Sequence, residues 1–302
     1  MSAVGVEAGE RPARVEPSPP GDGPRFLTWV RNPWGKARFL WIVALGYLAW
    51  TLVPVAIAVL FSFNSGRSIS AWQGFSTRWF VGDVSSVWQD PSLRTALFNT
   101  LRLGVLVAVI AVPFGVAFAV ALDRWHGRTG KGANFLMLFS FVTPEIAVAV
   151  AVFLFFVQLV TFIGLGVTAQ VLTLSMFEMA YPVIIVRARL LSLGRQYEEA
   201  GMDLGASPTQ TLRRVLMPLL MPAIFASFAV VFATTIDDFV IVQQLNLDAS
   251  TQTIPVLIYG VARTGPLPSL NALASLTLVA SMMVIALAVV LYRWNTRGER
   301  SA

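Results

Sequence analysis

From residue 39 onward the chain alternates long apolar runs with short polar intervals. The runs lie at 39–63, 97–122, 134–158, 165–187, 218–243 and 270–292. Each reaches the roughly 20 residues that a helix needs to cross the hydrocarbon of a bilayer. Interior prolines such as Pro54, Pro113 and Pro182 exclude strands and predict kinked helices. The pattern therefore predicts an all-α integral membrane protein of six transmembrane helices, with both termini on one side. Residues 1 to 24 are rich in Pro, Gly and charge, which predicts a disordered tail. They lack the basic, apolar, small-residue order of a cleaved signal peptide. Phe26, Leu27, Val30 and Trp34 recur at helical spacing among Arg25, Arg31, Lys36 and Arg38. That reads as an interfacial elbow helix, or as a basic flank to the first span. The expected organisation is thus a tail and elbow over 1–38, a membrane domain over 39–293, and a tail over 294–302.

Composition agrees. The chain is 56% hydrophobic and 13% charged, where soluble domains carry about 25% charged residues. With no cysteine, disulfides, thiol chemistry and cysteine metal sites are excluded. The single histidine, His126, stands between Arg124 and Arg128 in a loop and reads as solvated rather than as a base or ligand. The net charge of +6 is a matter of topology. All but five of the 22 basic residues fall in the tails and in the second-to-third and fourth-to-fifth loops, the exceptions being Arg67, Arg78, Arg94, Arg102 and Arg263. The positive-inside rule puts the larger set, and with it both termini, in the cytoplasm. The excess is no nucleic-acid footprint.

One long polar interruption breaks the second half, Glu198 to Pro222, reading EEAGMDLGASPTQTLRRVLMPLLMP. It predicts two helices. Glu198 and Glu199 open a short one that Gly205 ends. Ser207-Pro208-Thr209-Gln210 starts the next, with Ser at the cap, Pro first and Gln third, and this second helix ends near Pro218, where the fifth span begins. Ala200, Gly201, Met202, Leu204 and Ala206 leave a small apolar knob. Glu199-Ala200-Gly201, then Gly205, then Val215-Leu216-Met217-Pro218 resembles the EAA loop (195–218) of ABC importer permeases, with Gly201, Val215 and Met217 as departures. The resemblance implies a MetI-like permease fold and a coupling helix seated on an ATP-binding subunit through Glu198, Glu199, Ala200, Gly201, Asp203, Gly205 and Pro218. The chain has no GxxxxGK[ST] phosphate loop, so ATP and Mg belong to that partner. This chain reads as a transport subunit and not an enzyme.

Four carboxylates fall within apolar runs: Glu145, Glu178, Asp237 and Asp238. Each costs about 2.5–3.5 kcal/mol at a helix centre, so each must face a cavity, a partner or the interface. Adjacent helical residues point about 100° apart. One aspartate can therefore line a path while the other bonds to a neighbouring helix or backbone. Glu145 follows Pro144, where the helix is open to a break. A cation path and structural polar contacts are the two readings of these acids. Trp72, Phe75, Trp79, Phe80 and Trp88 crowd the first outer loop, mostly as interfacial anchors.

Residues 64–80, 235–245 and 253–274 look like the second membrane subunit of spermidine/putrescine importers. That resemblance implies a substrate path through Trp79, Glu145, Thr235, Asp237 and Asp238. It also implies partners: ATP-binding subunits, a second permease subunit and an extracytoplasmic binding protein, at a bacterial inner membrane. A homodimeric pore and another small organic solute stay open. The rival from a different class is an ion-coupled secondary transporter with Asp237 and Asp238 as ion sites, which needs no EAA-type loop.

Overall fold

The computed structural model describes residues 38–68, 71–124, 128–262 and 268–299. The N-terminal tail, the elbow segment, His126 and Arg263 lie outside the described residues. The chain divides into two units at Pro54. The first contributes the opening turns of helix α1 (Arg38–Ser62), with Trp41, Tyr47 and Trp50 exposed. The packing and the sites described below lie in the second unit, Val55–Ala302.

Among the described residues, five helical stretches are long and apolar enough to cross a bilayer: Leu40–Ser62, Pro91–Arg124, Val167–Leu193, Pro208–Asp237 and Pro268–Arg293. They match five of the six runs. The third run departs from a single span. It forms α3 (Arg128–Val142) and α4 (Glu145–Leu154), the latter continuing through a π-helical turn at Phe155–Leu159. Pro144 causes the break. It disfavours helical geometry at Thr143 and is itself extended, with φ −58° and ψ 124°.

The core is built on α2 (Pro91–Arg124). Leu103, Val107, Ala111, Val112 and Val116 recur every three or four residues and are buried. They pack against α5 (Val167–Glu178), α6 (Ala180–Leu193) and α9 (Met217–Asp237). Lipid is as apolar as leucine, so cohesion rests on close van der Waals packing of small residues. Gly104 is such a place: a Cβ there would stand 2.7 Å from Ile236 Cγ2 and 2.9 Å from the Phe232 ring. The α2–α9 contact thus closes just before the aspartate pair.

A second, smaller cluster joins Trp79, Val87, Leu93 and Leu97 to α11 (Ile254–Ala262) and the start of α12 (Pro268–Glu299). Hydrogen bonds stitch α2 to the same region. Asn99 Nδ2 donates to the carbonyls of Ser250 (2.7 Å) and Gln252 (3.0 Å), and the Ile254 N–H donates to Thr100 Oγ1 (2.9 Å).

Two further interruptions place the acids. The fourth run is interrupted at the single residue Met179, between α5 and α6. The fifth was expected to run as one helix over 218–243. Instead its helix begins earlier, at Pro208, and α9 stops at Asp237. Asp238 is extended (φ −64°, ψ 120°), and a short α10 (Val240–Leu245) follows.

Candidate functional site

The loop before the fifth crossing forms the expected helix pair. Helix α7 spans Gln196–Asp203, and α8 spans Pro208–Thr211. Ser207 and Gln210 make a reciprocal capping box: the Gln210 N–H donates to Ser207 Oγ (3.3 Å) and the Ser207 N–H to Gln210 Oε1 (3.0 Å). Gly205 turns the chain between them at φ +87°, where a side chain would be strained. The second helix does not end near Pro218. It passes through a π-helical turn at Leu212–Leu216 into α9, so loop and span form one continuous rod. Glu199, Ala200, Met202, Asp203, Leu204 and Pro218 are exposed, while Gly201 faces Thr211 and Val215. Glu198 is not free on that surface. Arg124, at the end of α2, holds it with two N–H groups, Nε reaching Glu198 Oε2 at 3.1 Å and the other nitrogen pairing with Oε1. Arg124 also pairs with Asp123. Sequence spacing gave no sign of this strut, because its partners lie in different loops.

The intramembrane acids sit at the helix interruptions. Glu145 opens α4, where the helix dipole favours an anion. Asp238 occupies the break after α9, and its Oδ1 accepts from the N–H groups of Ile241 (3.1 Å) and Val242 (3.2 Å). The carboxyl groups of Glu145 and Asp238 lie within hydrogen-bonding reach of each other, and the Glu178 carboxyl is near enough to both to interact electrostatically. Glu178 ends α5 at this interruption and is buried; its Oε2 accepts from Thr234 Oγ1 at 2.6 Å. Three carboxyls on three interrupted crossings therefore converge. Among the described residues none of them is ion-paired, and no group of three or more acidic or histidine side chains is placed to hold a metal ion.

Asp237 is turned elsewhere. It borders a cavity of about 560 Å³ between the end of α1, α9, α11 and α12, with Val59, Ile258 and Leu278 among its apolar walls. The two acids so divide, one to a cavity and one to backbone, because the helix ends at Asp237 and Asp238 is extended. Thr235 and Trp79 do not join them. Thr235 is 1% exposed, with Oγ1 unpartnered. Trp79, taken at sequence level with the outer-loop aromatics, is 2% exposed, and its indole N–H donates to the Asn64 carbonyl at 2.7 Å. Arg78 lies 4.6 Å over its ring and also binds Asp83 at 2.5 Å. The Ser85 N–H and then Arg78 hold the Asp83 carboxyl below its ordinary range. Trp79 does not border the cavity; Ile254, in its cluster, and Ile258, packed against that cluster, do.

Sequence reasoning missed Asn64, Thr234 and three hydroxyls of α12 on the cavity wall. Asn64 is fully buried. Its Nδ2 donates to the carbonyls of Ser68 and Ala71, and its Oδ1 accepts from Gln73 N–H. For Thr234 and the α12 hydroxyls the available signal was small polar residues set inside apolar runs; Asn64, just past the first run, carried none.

This arrangement of interrupted helices with a helical hook before the fifth crossing is the fold of ABC-importer membrane subunits. The chain superposes on the membrane subunit of a bacterial ABC transporter involved in import of the acidic polysaccharide alginate, with a TM-score of 0.68 at 16% identity, covering 89% of this chain and 98% of that one. It matches an inward-facing methionine transporter, MetNI, with a TM-score of 0.55 at 19% identity over 67% of this chain and 93% of that one. The chain belongs to the family of binding-protein-dependent transport system inner membrane components, whose model matches residues 111–301. It is 32% identical to the putrescine transport system permease protein PotI of Escherichia coli K12, over 84% of this chain and 89% of that protein. It is 31% identical to the spermidine/putrescine transport system permease protein PotC of the same strain, over 83% and 92%. It is a multi-pass membrane permease subunit and not an enzyme.

Proposed function

We propose that this chain forms one half of the pore of an ATP-driven importer for polyamines. Its partners are a second permease subunit, ATP-binding subunits that carry ATP and Mg²⁺, and an extracytoplasmic binding protein. The knob at 199–204 seats in the ATP-binding subunit on the cytoplasmic side, and both termini share that side. One observation carries the solute reading: the carboxyls of Glu145 and Asp238 meet where two crossings are interrupted, with Glu178 beside them and, among the described residues, no basic side chain paired to any. Such acids are costly in a membrane and are retained where a cation passes. The putrescine and spermidine/putrescine permeases to which the chain is similar support the same class. The fold does not, since its alginate neighbour handles an acidic polymer.

The test is uptake of labelled putrescine by the complete importer in proteoliposomes. Glu145→Gln with Asp238→Asn is expected to cut the rate at least tenfold while assembly persists. Full uptake by the double variant makes these acids structural. Uptake that survives ATP depletion and collapses with a proton uncoupler returns the chain to the ion-coupled reading.

A further inference from the structure

The cavity at Asp237 has a one-sided hydrogen-bonding wall. Ser275, Thr277 and Ser281 of α12 border it, and each hydroxyl donates its one proton to its own helix. Ser275 Oγ donates to the Asn271 carbonyl (2.7 Å), Thr277 Oγ1 to Leu273 (2.9 Å) and Ser281 Oγ to Thr277 (2.9 Å). A hydroxyl engaged in this way offers only lone pairs. Asp237 adds a carboxylate, and the other bordering side chains are aliphatic. The side chains of this wall therefore accept hydrogen bonds and donate none.

We propose that the cavity is a primary-ammonium site of the transport path, with Ser275, Thr277 and Ser281 as its specificity-determining residues. The inference rests on the polyamine reading and sharpens it. A primary ammonium brings three N–H donors, to be met by the carboxylate and two of the hydroxyl oxygens, while its methylene chain lies along the aliphatic wall. A fully methylated ammonium has the charge but no donor, so the wall's acceptors lose their water and gain nothing. An anion is repelled by Asp237. A volume of about 560 Å³ sits within the range of small-molecule sites. The Glu145, Asp238 and Glu178 group stands apart from this cavity, so a diamine meets carboxylates in two separate surroundings.

The chain has no cysteine, so Ser281→Cys places a single addressable thiol on the wall. In the assembled importer, putrescine is expected to slow modification of that thiol by an aminoethyl methanethiosulfonate. The fully N-methylated diamine at equal concentration is expected to leave the rate unchanged. In uptake, Thr277→Val with Ser281→Ala is expected to raise KM for putrescine roughly tenfold, with the affinity of the external binding protein unmoved and co-purification as the check on folding. Equal protection by both diamines, protection by neither, or modification only by a bilayer-soluble maleimide overturns the site, the last by making the cavity a lipid groove. Normal putrescine uptake with an unchanged KM in the double variant defeats this inference alone. A wild-type importer that takes up no putrescine defeats the polyamine reading itself.

Discussion

Asp237 and Asp238 are adjacent and do different work, so single substitutions separate them. Asp238 carries charge and also caps α10 through two backbone N–H groups. Asn retains the cap and removes the charge; Ala removes both. Asp238→Ala is therefore expected to be less stable than Asp238→Asn by about 1 kcal/mol, the usual worth of such a cap, as read by thermal unfolding of the purified complex. Both should impair putrescine uptake alike. Equal melting of the two variants means that the cap bonds contribute nothing. Asp237 makes no such cap, and Asp237→Asn is expected to lower uptake without a change in melting.

Between helices, the strut from Arg124 to Glu198 ties the end of α2 to α7, so under the proposed coupling role a movement of the loop would pull on the core helix directly. Arg124→Glu and Glu198→Arg singly leave like charges facing and are expected to lower uptake several-fold, while the exchanged pair recovers most of it. No recovery means that the pair is incidental. The 63–90 loop has its own dependence on pH. The Asp83 carboxyl is held below its ordinary value of 3.8 in the folded chain, so its contribution is complete at neutral pH and is lost as pH falls through the folded value. Hydrogen exchange of this loop is expected to rise there in the wild type, and to show no such step in Asp83→Asn; an identical rise in both assigns it to another group. The helices, the capping box and the knob were legible because their signals are local: apolar length, a Ser-Pro-x-Gln start, a glycine end. The break at Pro144 was legible for the same reason. The Arg124 strut and the burial of Trp79 were not, because each is fixed by contacts between separate segments; the interruption at Asp238 was not, because its cap bonds to Ile241 and Val242 come without the proline or glycine that marks a break.

For the whole molecule the governing quantity is orientation, since the coupling role proposed for the knob requires it to lie on the side that holds nucleotide. The basic residues favour the cytoplasm for the loop at 195–218, and the exposed Met202 and Leu204 give it an apolar face to bury. The absence of cysteine again permits a clean measurement. Leu204→Cys in inverted vesicles is expected to react with an impermeant maleimide, and Val84→Cys, exposed in the 63–90 loop, in right-side-out cells; adding the ATP-binding subunit should protect the first thiol only. Glu199→Lys places a cation where the exposed acid of that face stood. It is expected to weaken co-purification of the ATP-binding subunit and to lower uptake at least tenfold, while the external binding protein keeps its affinity for solute. Normal co-purification with normal uptake, or a Leu204→Cys thiol that reacts from the outside, removes the coupling role, because a hook that touches no motor has nothing to transmit to α9 and the acids at its far end.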